Sequence, residues 1–277
     1  MRLFKRLLKN NIIIALFNPG FWISFATGVL LSISQYIKES FSVRHYLEVY
    51  KKVWPSMLVP HTVFTKWIGG EAFSFQYFSF FILVPLLSTL PAGNAISLEC
   101  KTRYRTIVMA RAGKSAYFFS KLCAAFILGG LLSVFPLLLN LYLTAMTLPS
   151  IIPNNATGFF AISSESFMAE IFYTRPYQYI FIYLLFIFVF TGLLASCAVS
   201  LGNFGIGPFL NVVYPFLVCV TLYAVLGELN ISGWIPYSFL NPAQLERLQV
   251  LPIVCEMLLM IVIITYSYYI EKKMDVY

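Results

Sequence analysis

LECKTRYRTIVMARAGKSAYFFSKL, residues Leu98 to Leu122, carries six basic side chains and one acid, Glu99, in a chain otherwise dominated by Phe, Leu and Ile. Two long apolar runs flank it, so its reading decides the fold. A soluble domain spends about 25% of its residues on charges. This chain of 277 residues spends 11%, is 60% hydrophobic and has a mean hydropathy of +0.81. The apolar runs are therefore read as membrane helices and the basic stretch as a loop between two of them. At ~20 apolar residues per crossing, the length allows six.

Working outward, the expected crossings are residues 20–37, 72–92, 117–143, 178–200, 209–226 and 251–270. Asn18-Pro19-Gly20 breaks the chain before the first, and Lys38-Glu39 ends it. Pro85 and Pro91 are expected to kink the second, which membrane helices tolerate when neighbours satisfy the freed carbonyls. Residues 38–70 and 147–177 read as polar loops, and residues 202–208 as a tight uncharged turn. In residues 1–19, Arg2, Lys5, Arg6 and Lys9 alternate with Leu3, Phe4, Leu7 and Leu8. At helical spacing this separates a basic from an apolar face and predicts a helix lying in the headgroup layer. The expected fold is an all-α integral membrane protein, a single transmembrane domain over residues 1–277.

The net charge of +8 would suggest nucleic acid in a soluble chain. Here the charges sit at the ends of apolar runs and report topology instead. Six crossings put both termini and the basic stretch on one side with twelve Lys and Arg, against seven on the other. That bias predicts both termini in the cytoplasm, with 94–116 as the main cytoplasmic loop and no nucleic-acid partner. Lys121 can reach back to the surface from inside the third crossing. Anionic lipid accounts for the loop's charge but not for its length. Ile107, Val108 and Ala110 beside Arg103, Arg105 and Arg111 predict a short amphipathic helix, suited to dock in a partner's groove.

The layout resembles the membrane subunit of the second class of ABC exporter permeases. That family has a basic interfacial helix, six crossings, both ends inside and a loop after the second crossing that docks on an ATPase. The likeness centres on the order Glu99, Thr106, Arg111, Tyr117 and Lys121: an acid opening the loop, a Thr, an Arg, a Tyr and a Lys entering the third crossing. The family's frequent Gly before the Thr is Arg105 here, and no Pro follows the apolar stretch. The resemblance implies that Glu99, Arg103, Arg105, Thr106, Arg111, Tyr117 and Lys121 form an ATPase-coupling segment. It further implies that the first, second and fifth crossings rearrange around a substrate path, and that the last outer loop folds partly back into the membrane. Implied partners are ABC ATPase subunits, a second permease copy or a homologous permease, and membrane lipids. ATP and Mg would sit on the ATPase, with no cofactor in this chain. Gly113-Lys114-Ser115 ends like a phosphate-binding loop, but Val108 stands where its first Gly must be.

Glu256, Asn140 and Asn211 are candidate substrate-path or gating residues. A carboxylate about one turn into the sixth crossing is expensive, although near the span's end it can also reach water. The two amides read first as interhelical hydrogen-bonding groups. His45 and His61 have no Cys or second His at ligand spacing, and none of the five cysteines forms a CxxC pair, so no metal site is expected. Apart from Glu256, no Asp, Glu or His falls inside the expected crossings, which disfavours an intramembrane enzyme. The expectation is a non-enzymatic exporter permease in a bacterial plasma membrane, with an amphipathic substrate such as a peptide, antimicrobial, lipid or drug. The alternative is a non-transporting scaffold or immunity protein that binds its target directly.

Overall fold

The apolar runs form helices in the computed structural model, which describes residues 2–43, 61–102, 104–153, 162, 166–244 and 248–273. In chain order these are α1 Arg2–Phe17, α2 Pro19–Gln35 with a π-helical continuation Tyr36–Phe41, and α3 Val63–Lys66. There follow α4 Phe75–Thr89, α5 Ala95–Lys101, α6 Tyr104–Ala112, α7 Lys114–Thr147 and α8 Ala169–Thr174. The chain ends in α9 Pro176–Leu201, α10 Pro208–Glu228, α11 Pro236–Leu240 and α12 Val250–Lys273. No strand occurs among the described residues. Among the described residues, five stretches are long and apolar enough to cross a membrane: Pro19–Phe41, Lys114–Thr147, Pro176–Phe204, Pro208–Glu228 and Val250–Lys273.

The second expected crossing differs. Only its middle is one helix, the 15 residues of α4, about 22 Å long at 1.5 Å per residue. Residues 69–73 turn instead, and Ser74 caps the helix by accepting from Tyr77 N at 3.2 Å. At the far end residues 90–94 turn, where Pro91 has no N–H to continue a ladder. The short helix is surrounded by α2, α7, α9 and α10, so protein rather than lipid meets most of its surface. The third expected crossing is longer than its apolar run: α7 has 34 residues, about 51 Å, and projects past a ~30 Å hydrocarbon layer.

α7 and α9 are the centre of the bundle, with 56% and 61% of their apolar windows buried against 22%, 17% and 22% for α2, α10 and α12. A Cβ on Gly129 would stand 2.5 Å from Ala195 Cβ, so only glycine allows the two helices to approach this closely. Phe126 and Phe188 close the same contact edge to face at 5.6 Å. Small hydroxyls fasten the other helices: Ser24 donates to Leu87 O at 2.6 Å, Ser32 to Pro136 O at 2.7 Å and Thr89 to Val212 O at 2.8 Å. Within lipid such bonds, with close van der Waals contact, replace the hydrophobic drive that water would supply.

Two segments outside the expected crossings contribute to the core. Val63, Phe64, Trp67 and Ile68 are at most 2% exposed, and Phe239 and Leu240 of α11 are buried against α9. Tyr179 donates to Pro242 O at 2.6 Å and fixes the latter segment.

Candidate functional site

The basic stretch folds as two short helices and a turn. α5 and α6 run either side of Arg103, which lies outside the described residues. Gly113, at φ +83°, adopts the left-handed backbone that ends α6 and starts α7 one residue later. This elbow brings the first turns of α7 under α5 and sets the acid beside the Lys expected from the sequence. Glu99 Oε1 accepts from Lys121 Nζ at 2.5 Å, and its Oε2 accepts from the Tyr117 hydroxyl at 2.6 Å. Lys121 also lies 5.8 Å from the centre of the Tyr117 ring. Glu99, Tyr117 and Lys121 therefore form one cluster, and the latter two are almost fully buried.

Arg105 does not face outward as Lys101 and Arg111 do. It is 8% exposed and pairs with the fully buried Glu271 of α12, while its Nη1 donates to Cys100 Sγ at 2.9 Å. Burial opposes its charge. Glu271, with a smaller contribution from Cys100, more than offsets this, so the Arg105 pKa lies above the ordinary guanidinium value. More contacts bind the same end of α12: Lys114 Nζ donates to Lys272 O at 3.0 Å, and the Ser115 and Tyr268 hydroxyls meet at 2.8 Å. Asn203 Nδ2 donates to Ser267 Oγ at 3.0 Å, and Ser267 in turn donates to Ser200 O at 2.9 Å. Phe118 and Phe119 pack their rings on Tyr268 at 5.6 and 5.1 Å.

The opposite face of α6 is open. Tyr104 and Ile107 are 41% and 54% exposed, and Thr106, Ala110 and Arg111 are exposed beside them. Tyr104, Ile107 and Arg111 follow the i, i+3, i+7 spacing of one helix face. The expected short helix is present, but its faces differ from the expected ones: Arg105 and Met109 lie on the inner face, while Ile107 and Ala110 lie outside with Arg111.

The three intramembrane candidates separate. Asn211 belongs to this end: its Nδ2 donates to Ser97 Oγ at 2.5 Å, and Ser97 donates to Ile206 O at 3.0 Å. Asn140 lies at the other end of α7. It donates to Ser32 O at 2.8 Å and Gln35 Oε1 at 2.7 Å, and accepts from Ile68 N at 2.7 Å. With every polar group engaged, it ties α2 and the Val63–Ile68 segment to α7. Glu256 is half-buried on α12 and makes no hydrogen bond or ion pair among the described residues.

That second end carries its own ion cluster, which no motif in the sequence marks. Lys66 Nζ lies 3.3 Å from Glu39 and also pairs with Glu71. Burial disfavours its charge, but hydrogen bonding and attraction from Glu71, then Glu39, outweigh this and raise its pKa. Nearby, burial and then Lys66 lower the pKa of His61, against a weaker opposing pull from Glu39. His45 lies outside the described residues. Among the described residues, no three His, Cys, Asp or Glu converge as a metal site would require.

No protein-family model, curated protein or solved structure matches the chain.

Proposed function

We propose that the chain is the transmembrane permease subunit of an ATP-driven exporter, working with separate ATPase subunits that hold ATP and Mg. It crosses a bacterial plasma membrane six times, α4 being the short second crossing, with both termini in the cytoplasm. Two copies, or this chain with a homologous permease, enclose the path of an amphipathic substrate.

The observation that carries this reading is the two-sidedness of α6. Its inner face is held through Arg105 to Glu271 of α12 and, across the Gly113 elbow, to the start of α7. Its outer face presents Tyr104, Ile107 and Arg111 without cover from the described residues. A push on that outer face would be delivered to α7 and α12 together, because their ends are joined by the Lys114–Lys272 and Ser115–Tyr268 bonds. Amphipathic helices with i, i+3, i+7 anchors dock in apolar grooves of partner proteins. Asn211 on α10 is tied to α5 through Ser97, which gives the motion a route to a fifth crossing as well.

The test is purification of the chain from native membranes in mild detergent, followed by assay of ATP hydrolysis. The reading requires a stoichiometric soluble subunit bearing a complete phosphate-binding loop, with hydrolysis that responds to an amphipathic substrate. Recovery of the chain alone across several gentle detergents would reject it in favour of a scaffold or immunity protein.

A further inference from the structure

A crevice of about 450 Å³ opens between α1, the α4–α5 turn and the start of α7. Its walls include Ile14, Phe17, Ala95 and Leu98, and its polar end holds Glu99 and Lys121. The volume falls in the range of small-molecule sites, which are mostly apolar with a few convergent polar groups. Ile14, Phe17 and Leu98 at its mouth are 47%, 82% and 44% exposed. On the interfacial placement expected for α1, that mouth opens toward lipid, which removes the cost of an exposed apolar patch.

The polar end is unfinished. The Lys121 side chain is 5% exposed, and an ammonium has three donors. Among the described residues its acceptor is Glu99 alone, at 2.5 Å. Beyond the Glu99 contact and the Tyr117 ring, an acceptor oxygen in the crevice would give this buried ammonium a further partner. Lys5, Arg6 and Lys9 are exposed on α1, the same helix that supplies Ile14 and Phe17. Their field favours a negatively charged group near the mouth.

We propose that this crevice is a phospholipid site, in which one acyl chain lies along Ile14, Phe17, Ala95 and Leu98 and a phosphate oxygen accepts from Lys121. The lipid fills the gap between the amphipathic α1 helix and the Glu99–Lys121 pair, and so supports α5 from the membrane side. The proposal rests on the membrane placement of the helices and not on the docking of an ATPase.

The test reconstitutes the full chain in phosphatidylcholine vesicles. Each preparation is doped with a diazirine-tailed phosphatidylcholine, phosphatidylglycerol or uncharged diacylglycerol, and adducts are mapped by mass spectrometry. Both phospholipid probes should label residues 11–18 and 91–98, about tenfold more than the diacylglycerol does, the ratio expected for one lost charge-assisted hydrogen bond. Ala95→Phe, which fills the crevice, should remove those adducts and leave those on the outer face of α10. Equal labelling by the diacylglycerol would overturn the phosphate contact. Adducts spread evenly over the crevice and α10 in the wild-type chain would reduce the site to ordinary boundary lipid, whether or not Ala95→Phe folds.

Discussion

Arg105 and Glu271, separated by 166 residues, form an ion pair that joins the middle of the basic stretch to the end of the last helix. Glu271 is fully buried and Arg105 nearly so. Removing one partner of a buried pair leaves the other charge uncompensated, at about 3–5 kcal/mol, whereas replacing both with apolar residues is often neutral. Glu271→Ala is therefore expected to destabilise the chain strongly, and Arg105→Met with Glu271→Leu to restore most of the loss. Unfolding in mixed micelles reads both. A double variant no more stable than Glu271→Ala would show that the pair is not the relevant contact.

Asn140 makes three hydrogen bonds to groups on two other segments. Asn140→Leu strands the Ile68 N–H and the Gln35 amide, at about 1–3 kcal/mol for each buried group left unsatisfied. The variant should unfold at lower denaturant and open the Val63–Ile68 segment to hydrogen exchange. Unchanged protection of the Ile68 amide would refute the assignment of Asn140 as a structural tie.

Gly129 sets the approach of α7 to α9, its added Cβ meeting Ala195 Cβ at 2.5 Å and Ser88 O at 2.9 Å. Gly129→Val forces the two central helices apart, and overpacking of this kind costs about 1–3 kcal/mol. A drop in melting temperature is expected for this variant. Full wild-type stability would mean that the helices cross elsewhere.

His61 gives the chain a pH signature. Its folded-state pKa lies below the ordinary 6.5, first because of burial and then because of Lys66. A depressed pKa stabilises the fold above the unfolded value of 6.5, and that contribution is lost as pH falls through the folded value. Wild type should lose stability as pH drops below 6.5, and His61→Gln should lose less over the same window. Glu39, Glu71 and Lys66 are the same in both proteins, so the difference between the two curves isolates the histidine. Parallel curves would contradict the placement.

Much of this was legible in the sequence. The long apolar runs predicted helices at the right places, because a membrane helix satisfies its backbone internally and needs little from its neighbours. The Gly113 elbow joins Glu99, Tyr117 and Lys121 in a contact that their order in the sequence does not state, and Lys121, expected to reach the surface, is instead buried against Glu99. The partner of Arg105 was not legible: Glu271-Lys272-Lys273 reads as the polar end of a span, and no periodicity links it to a loop 166 residues earlier. The core role of Val63–Ile68 was hidden for a similar reason. Its four apolar residues, interrupted by Thr65 and Lys66, make too short a run to read as a crossing, and their docking partners Asn140, Gln35 and Tyr177 lie far away in sequence. The shortness of α4 follows from turns at both ends, of which the apolar run marks only the one at Pro91.

The outer face of α6 is the surface on which the proposed function depends, and a photocrosslinking amino acid placed at single positions tests it directly. Incorporated at Ile107, which is 54% exposed, it should capture a soluble ATP-binding subunit in native membranes; at Met109, which is 6% exposed on the inner face, it should not. Arg111→Glu should weaken the Ile107 crosslink while leaving stability within about 0.5 kcal/mol, as for other surface changes. If position 107 yields no such adduct, or 107 and 109 give the same one, the outer face of α6 is not an ATPase dock and the exporter reading fails.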